Sequence, residues 1–236
     1  MRLHRFFVGD IINSFIKEGD RFDISDSDLV HQWKKVFRLK TGDNVILFDG
    51  SGFEYVCKIE NMSKDSVEIS TGTAKKIDPL EREVWVCMSV IKKDNFEWVV
   101  EKCTELGVSH FLPIIADRSE KKDLNMDRLK KIAKEASEQC GRGDVPKIHE
   151  IITLEESFLY DLPQEKFFFD LNGSDLSEKD LKDKKPVAIF IGPEGGWSEK
   201  EVSFFKSKNI ETKILGKRVL RAETAAISAT SLFLLL

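Results

Sequence analysis

Beyond residue 84, short unbroken apolar runs alternate with stretches of helical periodicity, and no other feature restricts the fold as much. "VWVCMSVI" (84–91) is a continuous apolar run of the kind buried on both faces of a parallel sheet. A helix is predicted over 94–106, with Phe96, Val99, Val100, Cys103 and Leu106 on one face and Gly107 as its C-cap. "FLPII", a charged helix from about Asp127 to Cys140, and a helix near 154–161 follow, the last opened by Thr153 with Glu156 in capping-box register. "KFFFD", "PVAIFIG", a helix capped by Ser198 with Glu201 in the same register, "ETKIL" and an apolar terminal helix complete the series. Such alternation predicts an α/β sheet covered on both faces.

The first 72 residues have another texture. "LHRFFV", "NVILFDG", "FEYVCKIE" and "SVEIST" are short runs separated by turn signals, and Phe53, Tyr55, Cys57 and Ile59 alternate with Glu54, Val56 and Lys58 as a half-buried strand does. One helix interrupts them: Ser27 can cap it, and Leu29, Val30, Trp33, Val36 and Phe37 recur at helical spacing. Short strands with a single helix predict a small, mostly antiparallel barrel. The polar stretch around 73–82, with Pro79, reads as a linker, which divides the chain into domains at 1–72 and 83–236.

Composition excludes several classes. With 41% hydrophobic and 33% charged residues the chain is globular rather than disordered. A net charge of −4 gives no global attraction to nucleic acid, so such a partner needs a local basic face. Cys57, Cys87, Cys103 and Cys140 form no CxxC pair, so neither a metal site nor a disulfide framework is expected. The opening "MRLHRFFVGD" lacks the apolar core of a signal peptide, and "AAISATSLFLLL" is shorter than the ~20 residues that span a bilayer. The expectation is a cytoplasmic protein whose apolar last helix is buried in protein, with a second subunit as one candidate cover.

Ligands of open α/β sheets sit outside the carboxyl ends of the strands. Two turns there are unusual: "IGPEGGWS" (191–198) and "LGKRVLRAETA" (215–225). Gly192, Gly195 and Gly196 permit positive φ and close approach of a ligand to peptide groups. Neither the Walker loop nor GxGxxG is present, so a triphosphate or dinucleotide site is unsupported. In "EASEQCGRGDVP" (135–146), Arg142 stands on a glycine-flanked turn. An arginine there ordinarily faces solvent, and Glu138 and Gln139 read equally as the polar face near a helix end.

"EKCTELGV" (101–108), "EQCGR" (138–142), "IGPEGGWS" and "LGKRVLRAETA", in this order, resemble the ribosomal RNA small-subunit methyltransferase E family of the SPOUT class. "RFFV" (5–8), His31 with "VFRLKTGD" (36–43), and "FDGSG" (48–52) are similar to its N-terminal domain, so the resemblance covers nearly the whole chain. Leu129 departs from the tryptophan of many members. The resemblance implies a PUA-like β-barrel followed by a SPOUT α/β domain tied in a deep trefoil knot. It implies a homodimer that methylates N3 of a uridine in 16S ribosomal RNA with S-adenosyl-L-methionine and without metal. The implied cofactor-binding residues are Leu171, Ile191, Gly192, Pro193, Gly195, Gly196, Leu215, Gly216, Val219 and Leu220. Arg142, Arg221 and Glu223 are the implied catalytic residues; Glu223 either takes the N3 proton or holds Arg221 in place. RNA contacts are expected from Arg2, Arg5, His31, Lys34, Lys35, Arg38, Arg118, Glu138 and Gln139. A different RNA target, or a non-catalytic RNA-binding assembly factor on the same fold, is the alternative.

Overall fold

The computed structural model describes residues 3–9 and 16–236, so Arg2 lies outside the described residues. The chain forms two compact units: one holds Met1–Pro79 together with Ser137–Val145, the other Leu80–Ala136 with Pro146–Leu236.

In the first unit, β1 (Arg5–Phe7), β2 (Arg21–Ile24), β3 (Asn44–Phe48), β4 (Phe53–Met62) and β5 (Val67–Lys76) form a five-stranded sheet in the order β1-β3-β4-β5-β2. Only the β1–β3 pairing is parallel. Helix α1 (Ser27–His31) starts one residue earlier than the sequence implied: the Asp26 carboxylate accepts from the Leu29 N–H at 2.8 Å, and Ser27 is the first helical residue. The helix continues as a π-helical turn, Gln32–Val36. Leu29, Val30 and Trp33 pack with Phe6, Val45, Leu47, Tyr55, Cys57, Ile59 and Ile69 as the core. The expected alternation in β4 holds from Tyr55 to Ile59 but fails at its start, where Phe53 is exposed and Glu54 buried. Glu54 is buried where it pairs with Arg5 and Lys75. Strand β5 runs on to Lys76, so residues 73–76 of the stretch read as a linker are sheet.

The second unit is built on an all-parallel, seven-stranded sheet. Its strands are β6 (Val84–Ser89), β7 (His110–Ile115), β8 (Lys147–Ile148), β9 (Ile152–Thr153), β10 (Glu165–Asp175), β11 (Val187–Ile191) and β12 (Glu211–Ile214). The order is β12-β10-β11-β6-β7-β8, with β9 beside β7. Every residue of β6 and β11 is buried, as unbroken apolar runs require. Trp85, Cys87, Phe168, Ala188 and Phe190 pack with Leu154 of α4 (Leu154–Ser157) and Phe205 of α6 (Glu199–Ser207). Helix α7 (Ala222–Leu235) lies against α2 (Lys93–Leu106), β6 and β11 and stacks Phe233 on Phe167 at 5.7 Å. Helices α3 (Met126–Cys140) and α5 (Glu178–Lys182) complete the elements. Gly107 caps α2 at φ 110°, and capping boxes open α4 and α6 at Thr153 and Ser198. Helix α4 stops at Ser157, shorter than its periodicity implied. No described helix is long and apolar enough to cross a membrane.

Candidate functional site

The site forms where the sheet stops being regular. Strand β10 pairs Phe169 with Lys213 of β12, then pairs Ser174 with the same lysine, so residues 170–173 stand out of register. Gly173 lets this segment pass against the Lys213 backbone, which a Cβ would strike. The looped-out residues, the turn after β11 and the turn after β12 enclose a cavity of about 950 Å³ at the carboxyl ends of the three strands, within the size range of small-molecule sites. Its wall includes Leu171, Ile191, Gly192, Pro193, Gly195, Gly196, Leu215, Gly216, Val219 and Leu220, which are the cofactor-binding residues named from the sequence, and also Arg221 and Arg118.

The glycines serve different purposes. A Cβ on Gly192 would sit 3.2 Å from the Trp197 indole, and one on Gly195 would sit 3.3 Å from the Arg118 stem. Their bareness accommodates protein, not only a ligand as the sequence implied. Gly196 (φ +66°) and Gly216 (φ +96°) have open space around them and need glycine for backbone conformation. These two turns present peptide groups to the cavity without a covering side chain.

The catalytic residues named from the sequence are not all together. Arg221 is the N-cap residue of α7, exposed at the cavity wall. Glu223, in the first turn of α7, is buried outside the cavity wall; among the described residues its Oε2 has no hydrogen-bond partner, and no bond joins it to Arg221. Arg142 belongs to the segment that groups with the first unit. It is buried rather than solvent-facing, with Nε and Nη2 donating to the two Asp144 carboxylate oxygens at 3.0 and 2.9 Å.

Among the RNA-contact residues, His31, Lys35 and Arg38 are exposed on the helical stretch of the first unit and just beyond it. Lys34 donates to the carbonyls of Ser63 and Lys64. Arg5 is largely buried, pairs with Glu54 and lies over the Phe48 ring at 5.3 Å. Glu138 Oε1 accepts from the Phe7 N–H at 3.0 Å, and Gln139 is exposed at the end of α3. Arg118 donates to the Gly195 carbonyl at 2.8 Å. Sequence reasoning missed Asp170, Asn172, Trp197, Lys206 and Arg218 of the cavity wall. Apart from Leu171, the looped-out part of β10 is polar and carries no apolar signal that would mark it as wall. Among the described residues, no cluster of His, Cys, Asp and Glu could hold a metal ion.

Comparison with known proteins gives the class first. A family model described as an RNA methyltransferase domain matches residues 78–234, and one described as an RNA methyltransferase PUA domain matches residues 34–71. Among curated proteins, the ribosomal RNA small subunit methyltransferase E of Rickettsia conorii is 30% identical over 97% of this chain and 94% of its own. The Bacillus subtilis protein of that name is 30% identical over 97% and 95%. The chain therefore belongs to the ribosomal RNA small subunit methyltransferase E family. Its fold superposes on a putative methyltransferase of Legionella pneumophila solved with bound S-adenosylmethionine (TM-score 0.88, 25% identity, 99% and 97% of the two chains). It also superposes on the Neisseria gonorrhoeae ribosomal RNA small subunit methyltransferase E bound to S-adenosylmethionine (TM-score 0.85, 26% identity, 98% and 96%).

Proposed function

We propose that the chain transfers a methyl group from S-adenosylmethionine to N3 of a uridine in 16S ribosomal RNA. The observation that carries this reading is one cavity lined by residues 191–196, by Leu215, Gly216, Arg218, Val219 and Leu220, and by Leu171 and Arg221. The cavity suits the cofactor: the uncovered backbone at Gly196 and Gly216 lets an adenosine approach the main chain closely, and Leu171, Ile191, Leu215 and Leu220 offer apolar contact to its rings. When bound, the cofactor supplies an electrophilic methyl on sulfonium sulfur.

The protein has two tasks. It must hold the base in line with that methyl, a positioning effect worth several powers of ten in effective concentration. It must also favour loss of the N3 proton, which leaves negative charge on the flanking carbonyl oxygens. Arg221, at the cavity wall and without an ion pair among the described residues, is our anion stabiliser. Arg142, held in orientation by Asp144, is our second guanidinium for the base or its phosphate. Glu223 is buried, lies outside the cavity wall and makes no hydrogen bond to Arg221 among the described residues, so this geometry favours neither the proton-accepting nor the orienting role. His31, Lys34, Lys35 and Arg38 would contact phosphates and place the RNA without reading its sequence.

In the same reading, residues 1–72 close as a PUA-like barrel, 83–236 form the methyltransferase domain, and its carboxyl-end loops are tied as a trefoil knot, one of the rare exceptions to unknotted connections. Exposed Val219, Leu171, Leu235 and Leu236 favour a homodimer, and the protein would act in the cytoplasm. The test is mass spectrometry of nucleosides from 16S ribosomal RNA incubated with the protein and labelled S-adenosylmethionine. Labelled 3-methyluridine is expected; label in another nucleoside, or none, defeats the assignment.

A further inference from the structure

The turn after β7 has no part in the reaction as described, yet it is tied to the glycine loop at several points. Residues 116–119 are closed on themselves: Ser119 Oγ accepts from the Ala116 N–H at 3.1 Å, and the Ser119 N–H donates to the Ala116 carbonyl at 3.0 Å. From this small turn, Arg118 Nη1 donates to the Gly195 carbonyl at 2.8 Å, and its stem covers the face of Gly195. Asp117 Oδ2 accepts from Ser198 Oγ at 2.6 Å, and the Asp117 N–H donates to Glu201 Oε1 at 3.0 Å. The other oxygen of Glu201, Oε2, accepts from the Ser198 N–H at 2.7 Å, so one buried carboxylate both caps α6 and joins α6 to the turn after β7.

A loop with three glycines between 192 and 196 has high conformational entropy unless something outside it fixes its course. The Gly196 N–H donates to the Pro193 carbonyl at 2.8 Å, a turn bond the loop supplies itself. Among the described residues, the loop's other hydrogen bonds outside α6 are made with Asp117 and Arg118. We propose that Asp117 and Arg118 are positioning residues that latch the 192–198 loop in its cofactor-accepting shape. Arg118 thereby acts on the cofactor through Gly195 rather than on RNA as the sequence implied. The inference rests on the reading of the cavity as the S-adenosylmethionine site. Its physical content is preorganisation: cofactor affinity scales with the fraction of molecules whose loop is already in place.

The test is calorimetry with S-adenosylmethionine in the absence of RNA, on the full chain, with melting temperatures measured alongside. Arg118→Ala should weaken binding about fivefold, the loss of one hydrogen bond of ~1 kcal/mol. The double variant Asp117→Ala/Arg118→Ala should weaken it about twentyfold or more. Arg118→Lys should keep Kd within about threefold of wild type, because it retains a donor and most of the stem. Arg118→Met keeps the stem and removes only the donor. It carries the test if the alanine variants do not fold, again with about a fivefold loss. Wild-type Kd in the double variant or in Arg118→Met overturns the latch, and so does a lowered melting temperature with unchanged Kd, which leaves a packing role alone. Failure of the wild type to bind S-adenosylmethionine is a different result and defeats the cavity assignment itself.

Discussion

The two ends of the parallel sheet are finished in opposite ways. At the carboxyl ends of β10, β11 and β12 the chain leaves glycines at positive φ, a strand out of register and an exposed arginine around a cavity. At the amino ends of β6 and β7, polar groups are turned upon one another. The Trp85 indole stacks on His110 at 3.8 Å, His110 Nδ1 lies 3.0 Å from His149 Nε2, and Tyr160 meets His149 edge-on. Trp85 Nε1 donates to Glu83 at 2.6 Å, and nearby the fully buried Arg82 donates to Glu165 and to the carbonyls of Asp180 and Lys185. One end keeps backbone available to a ligand; the other satisfies its buried polar groups internally and so stabilises the fold. Substitutions at the first end should therefore change binding or turnover, whatever they cost in stability, and those at the second should change stability alone.

Gly196→Val applies the most severe test. A β-branched residue at φ +66° is strained although the space is open, so the turn must change course. S-adenosylmethionine binding should be lost to calorimetry while the circular dichroism spectrum is kept. Wild-type affinity in that variant would break the contrast between the ends.

Arg221→Ala comes next. Single-turnover methylation at saturating RNA should slow by ~10²–10³, by analogy with the loss of an oxyanion donor, with cofactor Kd nearly unchanged. Arg142→Ala tried in the same assay separates the two arginines, since a positioning defect is overcome by saturating RNA and a charge-stabilising one is not. Lysine at 221 should recover only part of the rate.

At the opposite end, burial, with His110 and Lys147 nearby, pushes the His149 imidazole from its ordinary 6.5 down to about 4. Between those values the unfolded chain binds a proton that the folded chain refuses. Stability is thus full above pH 6.5 and falls as the pH drops toward 4. The loss attributable to this group should be ~1–2 kcal/mol after allowance for solvent screening, and His149→Asn should flatten that part of the pH profile. Chemical denaturation at a series of pH values measures it, and cofactor affinity at neutral pH should be unaffected.

The smallest effect is expected at Gly216→Ala. With nothing within 4 Å of the added methyl, only the left-handed backbone at φ +96° resists it, at a cost of ~1–2 kcal/mol. Gly192→Ala, whose methyl meets the Trp197 ring, should cost ~1–3 kcal/mol and lower the melting temperature by more.

The sequence disclosed most of what local chemistry governs. The capping boxes at Thr153 and Ser198, the left-handed Gly107 and the buried strands β6 and β11 follow from residue types at fixed short spacings. Features that depend on distant partners were hidden. Nothing near Glu54 says that it will be buried beside Arg5, and nothing near Arg142 except Asp144 marks it as buried. Glu201 shows the limit well: its capping role was legible from Ser198, but its second oxygen binds the N–H of Asp117, eighty-four residues away in sequence. In the looped-out stretch of β10 only Leu171 was named from the sequence; Asp170 and Asn172 become cavity wall because the strand is out of register with its neighbour there.

The Trp197 indole, buried against Gly192 with its Nε1 unbonded, gives the protein an optical signal of its own state. The chain has four tryptophans, and the others report on different surroundings. Trp98 is solvent-exposed on α2, Trp85 lies flat on a histidine that quenches it once protonated, and Trp33 is enclosed in the core of the first unit. An indole without a hydrogen bond in an apolar shell emits at the blue edge of the band, so Trp33 and Trp197 form the blue component of the emission. Only Trp197 stands in the cavity wall. Blue-edge fluorescence should therefore follow events in the glycine loop, while the red component from Trp98 stays constant as an internal reference.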